Sequence, residues 1–166
     1  MATDAYILRE VGDAKKITVF ECPYCANQSL GYAKDKPELG KSSFFGFHFE
    51  PYPIGEEADH IKKLLESKGK TVNVKYFNLP NPPFCQLNEK ARAGIAKAFS
   101  DSDTAIALSC MAGFGGIKSA IPNAKVVHGM ATLGTLAAYL TSKNGKMYID
   151  KSKSTVVRFR EMDKTA

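Results

Sequence analysis

The stretch Lys16–Cys25, KITVFECPYC, combines a short apolar run with a pair of cysteines directly after it, and the rest of the chain is read outward from that junction. Lys16–Phe20 is rich in β-branched and aromatic residues, which predicts a buried strand. Three further runs carry the same signal: Thr71–Phe77 (TVNVKYF), Thr104–Leu108 (TAIAL) and Lys125–Val127. Between the first two strands, Gly55–Lys68 repeats Ala58, Ile61, Leu64 and Leu65 at helical spacing. Glu56 and Glu57 stand at its start and Lys68-Gly69 at its end, an order that suits the helix dipole. Helices are also expected over Gln86–Phe99 and Phe114–Ala120. Strand and helix alternating in this way predict right-handed crossovers. The expected fold is therefore a single three-layer α/β domain over residues 1–166, with a mainly parallel Rossmann- or flavodoxin-like sheet.

Cys22, Cys25, Cys85 and Cys110 are the only cysteines. The first two leave strand one, Cys85 follows strand two, and Cys110 follows strand three. In a parallel sheet the loops after the strands' carboxyl ends emerge on one side, where ligands bind. The four thiols are thus expected to converge at one sheet edge. The composition fits a compact protein: 166 residues can bury a sizeable core, no apolar run is long enough for a membrane span, and no signal-peptide pattern opens the chain. A cytoplasmic location is expected, with reduced thiols that serve as metal or redox groups rather than structural disulfides. The net charge of +6 comes from scattered lysines without an aromatic–basic stacking pattern, so neither a nucleic-acid nor a membrane partner is expected.

Three chemistries suit Cys22-Pro-Tyr-Cys25. A CPYC after a strand is what a glutaredoxin-like thiol oxidoreductase presents. That reading calls for a helix after Cys25, and none is expected, because Ala26–Lys41 carries Gly31, Pro37 and Gly40. Four thiolates also satisfy structural zinc, as in an interaction module, although only one pair here is close in sequence. The third is a [4Fe-4S] cluster held by four cysteines. Cys110-Met-Ala-Gly-Phe-Gly-Gly suits it, since Gly113, Gly115 and Gly116 let a turn wrap closely with its amides inward before a helix begins. His128, at the end of strand four, lies at the same edge; it could donate to a cluster sulfur or be held by backbone. No acid–base pair or nucleophile triad is evident, so any catalysis is expected in a partner.

The order of these features resembles a family. The C-x-x-C after strand one, a helix ending Ser67-Lys-Gly-Lys70, the lone Cys85, Ala105-Ile-Ala-Leu-Ser-Cys110 with its glycines, and Lys125-Val-Val-His-Gly-Met-Ala-Thr-Leu-Gly134 look like the methylenetetrahydrofolate reductase C-terminal (MetV-type) family. The similarity runs from about Lys15 to Gly134. It implies an iron-sulfur or zinc centre, ligated by Cys22, Cys25, Cys85 and Cys110, in an accessory electron-transfer subunit of an oxidoreductase. Its partner would be a flavoprotein reductase of one-carbon metabolism. Pro23-Tyr24 and Met111 depart from the family pattern.

Two segments lie outside this scheme. Ser29–Pro53 holds Tyr32, Phe44, Phe45, Phe47, Phe49 and Tyr52 without a clear period, and is expected to be a long aromatic loop whose rings either cap the core or cover the metal edge and dock a partner. Lys146–Ile149 and Thr155–Phe159 are expected to pair as a closing hairpin.

Overall fold

The computed structural model describes residues 1–43, 48–76 and 82–158. Its centre is a four-stranded, all-parallel sheet of β1 (Lys16–Glu21), β4 (Thr71–Tyr76), β5 (Thr104–Leu108) and β6 (Lys125–His128), in the order β4-β1-β5-β6. Helices connect these strands: α3 (Pro53–Glu66) lies between β1 and β4, α4 (Glu89–Phe99) between β4 and β5, and α5 (Met111–Ala120) between β5 and β6. A helix at Asp4–Val11, α1, adds to those expected, its first turn capped by the Thr3 hydroxyl accepting from the Tyr6 amide at 3.2 Å.

Side chains along β1 show why the layers are three. Alternate residues of a strand face opposite sides. Thr18 meets Ser102 at 2.7 Å and Phe20 packs edge-on against Phe84 at 6.2 Å, on the side of α4 and α5. Glu21 faces the other way and feels Asp59 on α3. Both faces are covered, so Ile17 through Glu21 and all of β5 are buried. That is why both strands read as continuous apolar runs rather than alternating ones. Phe20 and Phe84, at most 1% exposed, each contribute roughly 1.5–3 kcal/mol by burial. This is the expected α/β layout of Rossmann or flavodoxin type.

Ser29–Pro53 is not an open loop. Helix α2 (Cys25–Ala33) occupies its start, and β2 (Glu38–Ser43) and β3 (His48–Pro51) form an antiparallel hairpin in the remainder. Phe44, Phe45 and Phe47 lie outside the described residues. The helical period is hidden because the buried positions of α2 are Ala26, Asn27, Leu30 and Gly31, of which only two are apolar side chains. Gly31 is required by packing: a Cβ there would stand 2.3 Å from Leu39 Cδ2.

The expected closing hairpin is also corrected. β9 (Lys146–Ile149) pairs with β8 (Leu140–Lys143) and with β2, giving a second, antiparallel sheet in the order β3-β2-β9-β8. β10 (Thr155–Arg158) instead pairs with β7 (Gly134–Ala137). The overlooked signal is Asn144-Gly145 between β8 and β9, with φ of 51° and 72°, a sequence that favours the left-handed two-residue hairpin turn.

Asn27 ties the second sheet to the first. Its side-chain amide donates to the Leu39 carbonyl at 2.8 Å, and its Oδ1 accepts from the Ile54 amide at 3.0 Å, both bonds buried. Asn27→Ala strands both backbone groups away from water and is expected to lower the unfolding free energy by about 2–4 kcal/mol. Denaturant melting checks this; a loss below about 1 kcal/mol would mean that solvent satisfies both groups.

Candidate metal centre

Each cysteine is placed by a different local structure at the carboxyl edge of the parallel sheet. Cys22 directly follows β1, its amide donating to the Leu108 carbonyl of β5 at 3.0 Å, and its side chain is only 4% exposed. Cys25 is the first residue of α2 and is exposed. Cys85 is the middle residue of a 3-10 turn, Phe84–Gln86, and is exposed; Cys110 caps the amino end of α5 and is half-buried. All four are free thiols. The order β4-β1-β5-β6 puts the topological switch point between β1 and β5. Cys22 and Cys110 leave those two strands, so they flank the crevice where open α/β sheets bind ligands.

The glycines have a different role from the one the sequence led us to expect. Helix α5 begins at Met111, so Gly113, Gly115 and Gly116 lie within a helix and not in a turn with inward amides. A Cβ at Gly116 would fall 1.8 Å from the Phe84 carbonyl oxygen, and one at Gly113 would lie 3.3 Å from Phe84 Cβ. Three residues apart, they form one smooth helix face on which the turn carrying Cys85 is seated. Gly115 faces open space. Gly116→Ala is expected to push the Phe84–Gln86 turn off α5 and cost about 1–3 kcal/mol, the range for overpacking. The same change at Gly115 should stabilise the helix by roughly 0.5–1 kcal/mol. Paired thermal melts check the contrast, and equal effects at the two positions would refute the seating role.

Electrostatics links the thiols to one another. Burial is the main influence on Cys22 and pushes its thiol up to about 12; Cys110 and Cys25 raise it further, while the backbone amides of Tyr24 and Phe84 bond the sulfur and oppose the rise. Cys25 is also raised, first by burial and then by Cys110 and Cys85, against the pull of its own amide. Cys22 senses Cys110 and Cys25, and Cys25 senses Cys110 and Cys85. Among the described residues, which include all four cysteines and His128, no three His, Cys, Asp or Glu side chains are gathered as ligands of a single metal ion.

His128 is held by the backbone. Its Nε2 donates to the Ser109 carbonyl at 2.8 Å and its ring leans on Phe114, 5.0 Å between centroids. It therefore ties the end of β6 to the backbone just before Cys110. One further group went unnoticed in the sequence. Glu21, the residue before Cys22, is 5% exposed, its Oε2 is buried without a hydrogen-bond partner, and burial, reinforced by Asp59, raises its carboxyl to about 7. A glutamate at the end of a strand carries no local sign of this.

Fold and site together define an α/β protein with a four-stranded parallel sheet and a thiol-lined switch point. No family model, curated protein or solved structure matches the chain. Among the described residues, no helix is long and apolar enough to cross a membrane.

Proposed function

We propose that Cys22, Cys25, Cys85 and Cys110 hold a [4Fe-4S] cluster and that the chain is a non-catalytic, electron-transferring subunit of a cytoplasmic oxidoreductase. The observation that carries this reading is the placement of Cys22 and Cys110 on either side of the switch point, within electrostatic reach of Cys25, with the Tyr24 and Phe84 amides turned onto the Cys22 sulfur. Amide-to-sulfur bonds of that kind tune such clusters. A bound cluster would supply one-electron transfer. The residues of the chain would ligate it and bury one side at Cys22, while exposed Cys25 and Cys85 keep the other side open to a partner. Met111, 58% exposed beside Cys110, and Leu133, 71% exposed, offer that partner an apolar contact. The resemblance read in the sequence over Lys15–Gly134 is the support for taking a flavoprotein reductase of methylenetetrahydrofolate reductase type as the partner in this proposal.

Helix α2 does supply the element that a CPYC oxidoreductase calls for, contrary to the sequence expectation. The thiol chemistry opposes that function all the same. An attacking thiol must be accessible and acidic, whereas Cys22 is buried and its thiol is raised. Absorption spectra of protein purified without oxygen test the proposal. Brown colour bleached by dithionite supports it. A colourless protein with stoichiometric zinc, or turnover of a glutathione-linked disulfide that depends on Cys22 alone, would overturn it.

A further inference from the structure

A cavity of about 410 Å³ lies against the thiol edge, between α2 and the β7–β10 ribbon. Its floor is Ser109 and Cys110, and its walls include Leu30, Met130, Leu136 and Val156. That volume falls within the range of small-molecule sites, which are mostly apolar with a few polar groups that fix orientation. The ribbon register explains the lining. Leu136 stands opposite Val156 and Gly134 opposite Arg158, so these four residues share one face of the ribbon. Gly134 allows the two strands to close up, since a Cβ there would lie 2.2 Å from the Val157 carbonyl oxygen.

The charge around the cavity is one-sided. Lys151 and Arg158 line it, and no aspartate or glutamate does. Lys151 is engaged, 2.8 Å from Asp35 and 5.0 Å from the centre of the Tyr32 ring. Arg158 is exposed at the end of β10, and among the described residues no carboxylate pairs with it. A guanidinium at the rim of a largely apolar chamber is suited to a carboxylate, sulfonate or phosphate oxygen. We propose that this cavity binds a small amphipathic organic anion, its apolar body between Leu30 and the Leu136–Val156 pair and its charged group on Arg158. The proposal rests on the cavity alone and holds whether or not the thiols carry a cluster.

Two fluorescent probes of similar body test it: anilinonaphthalene sulfonate, which is anionic, and N-phenylnaphthylamine, which is neutral. Both are titrated into the full chain, in cluster-loaded and metal-free preparations, with near-ultraviolet circular dichroism confirming that each variant is folded. Saturable binding at one site per chain is expected for both. Arg158→Gln, at an exposed position, should weaken the sulfonate about tenfold, the loss of one charge-assisted hydrogen bond, and leave the neutral probe unchanged. Ala33→Trp, at the exposed rim of the cavity, should weaken both. If neither variant alters binding, the cavity is not the site. If Ala33→Trp acts on both probes and Arg158→Gln on neither, the anionic class of ligand is overturned.

Discussion

Serine in place of Cys85 is expected to strip the protein of iron while leaving it folded. Cys85 is exposed on its short turn, so the substitution removes a sulfur without opening a hole in the core. Changes in groups that merely support metal ligands already cost about 10–100-fold in affinity, so loss of a thiolate should leave almost no bound iron. Cys22→Ser should cost metal and more stability than Cys85→Ser, because Cys22 also belongs to the buried core. Iron and sulfide assays beside circular dichroism separate the two effects. Full iron content in Cys85→Ser would remove the four-cysteine centre from consideration.

A second large effect is expected from pH acting on Glu21. Its carboxyl is raised from 4.5 to about 7 in the folded chain. Between those values the folded state binds the extra proton, so the contribution of Glu21 to stability is greatest below about pH 4.5, falls as pH rises towards 7 and is level above it. The full difference is on the order of 3 kcal/mol. Glu21→Gln cannot ionise. It should therefore flatten the curve and raise stability at pH 8 by about 2–3 kcal/mol. Guanidinium midpoints of the two proteins between pH 5 and pH 8 provide the measurement, made under reducing conditions. An unchanged slope in the variant would place the titrating group elsewhere.

The cavity and the centre draw on different distances along the chain, which bears on how legible each was. β1 and β5 are buried on both faces, so each announces itself as an unbroken apolar run. The parallel-sheet rule then predicts, from sequence alone, one edge for Cys22, Cys25, Cys85 and Cys110. Helix α2 escaped the same reading because its inward face is built from Asn27 and Gly31 as much as from Leu30, each explained by Leu39 and by neighbours on other segments. The pairing of β10 with β7 rather than β9 escaped it too, since four-residue strands carry too little pattern to name a partner.

What the sequence determined by itself was therefore the α/β class, the parallel sheet and the strand ends from which Cys22 and Cys110 leave, because hydrophobic period and chain order are local properties. The tertiary structure alone decided that Gly113 and Gly116 seat the Cys85 turn, that Glu21 is buried without a partner for one oxygen, and that Arg158 stands over a cavity beside Cys110. Each of those depends on close approach between segments far apart in the chain. Burial and desolvation act on distance in space, and residue order does not encode that distance until the elements have packed.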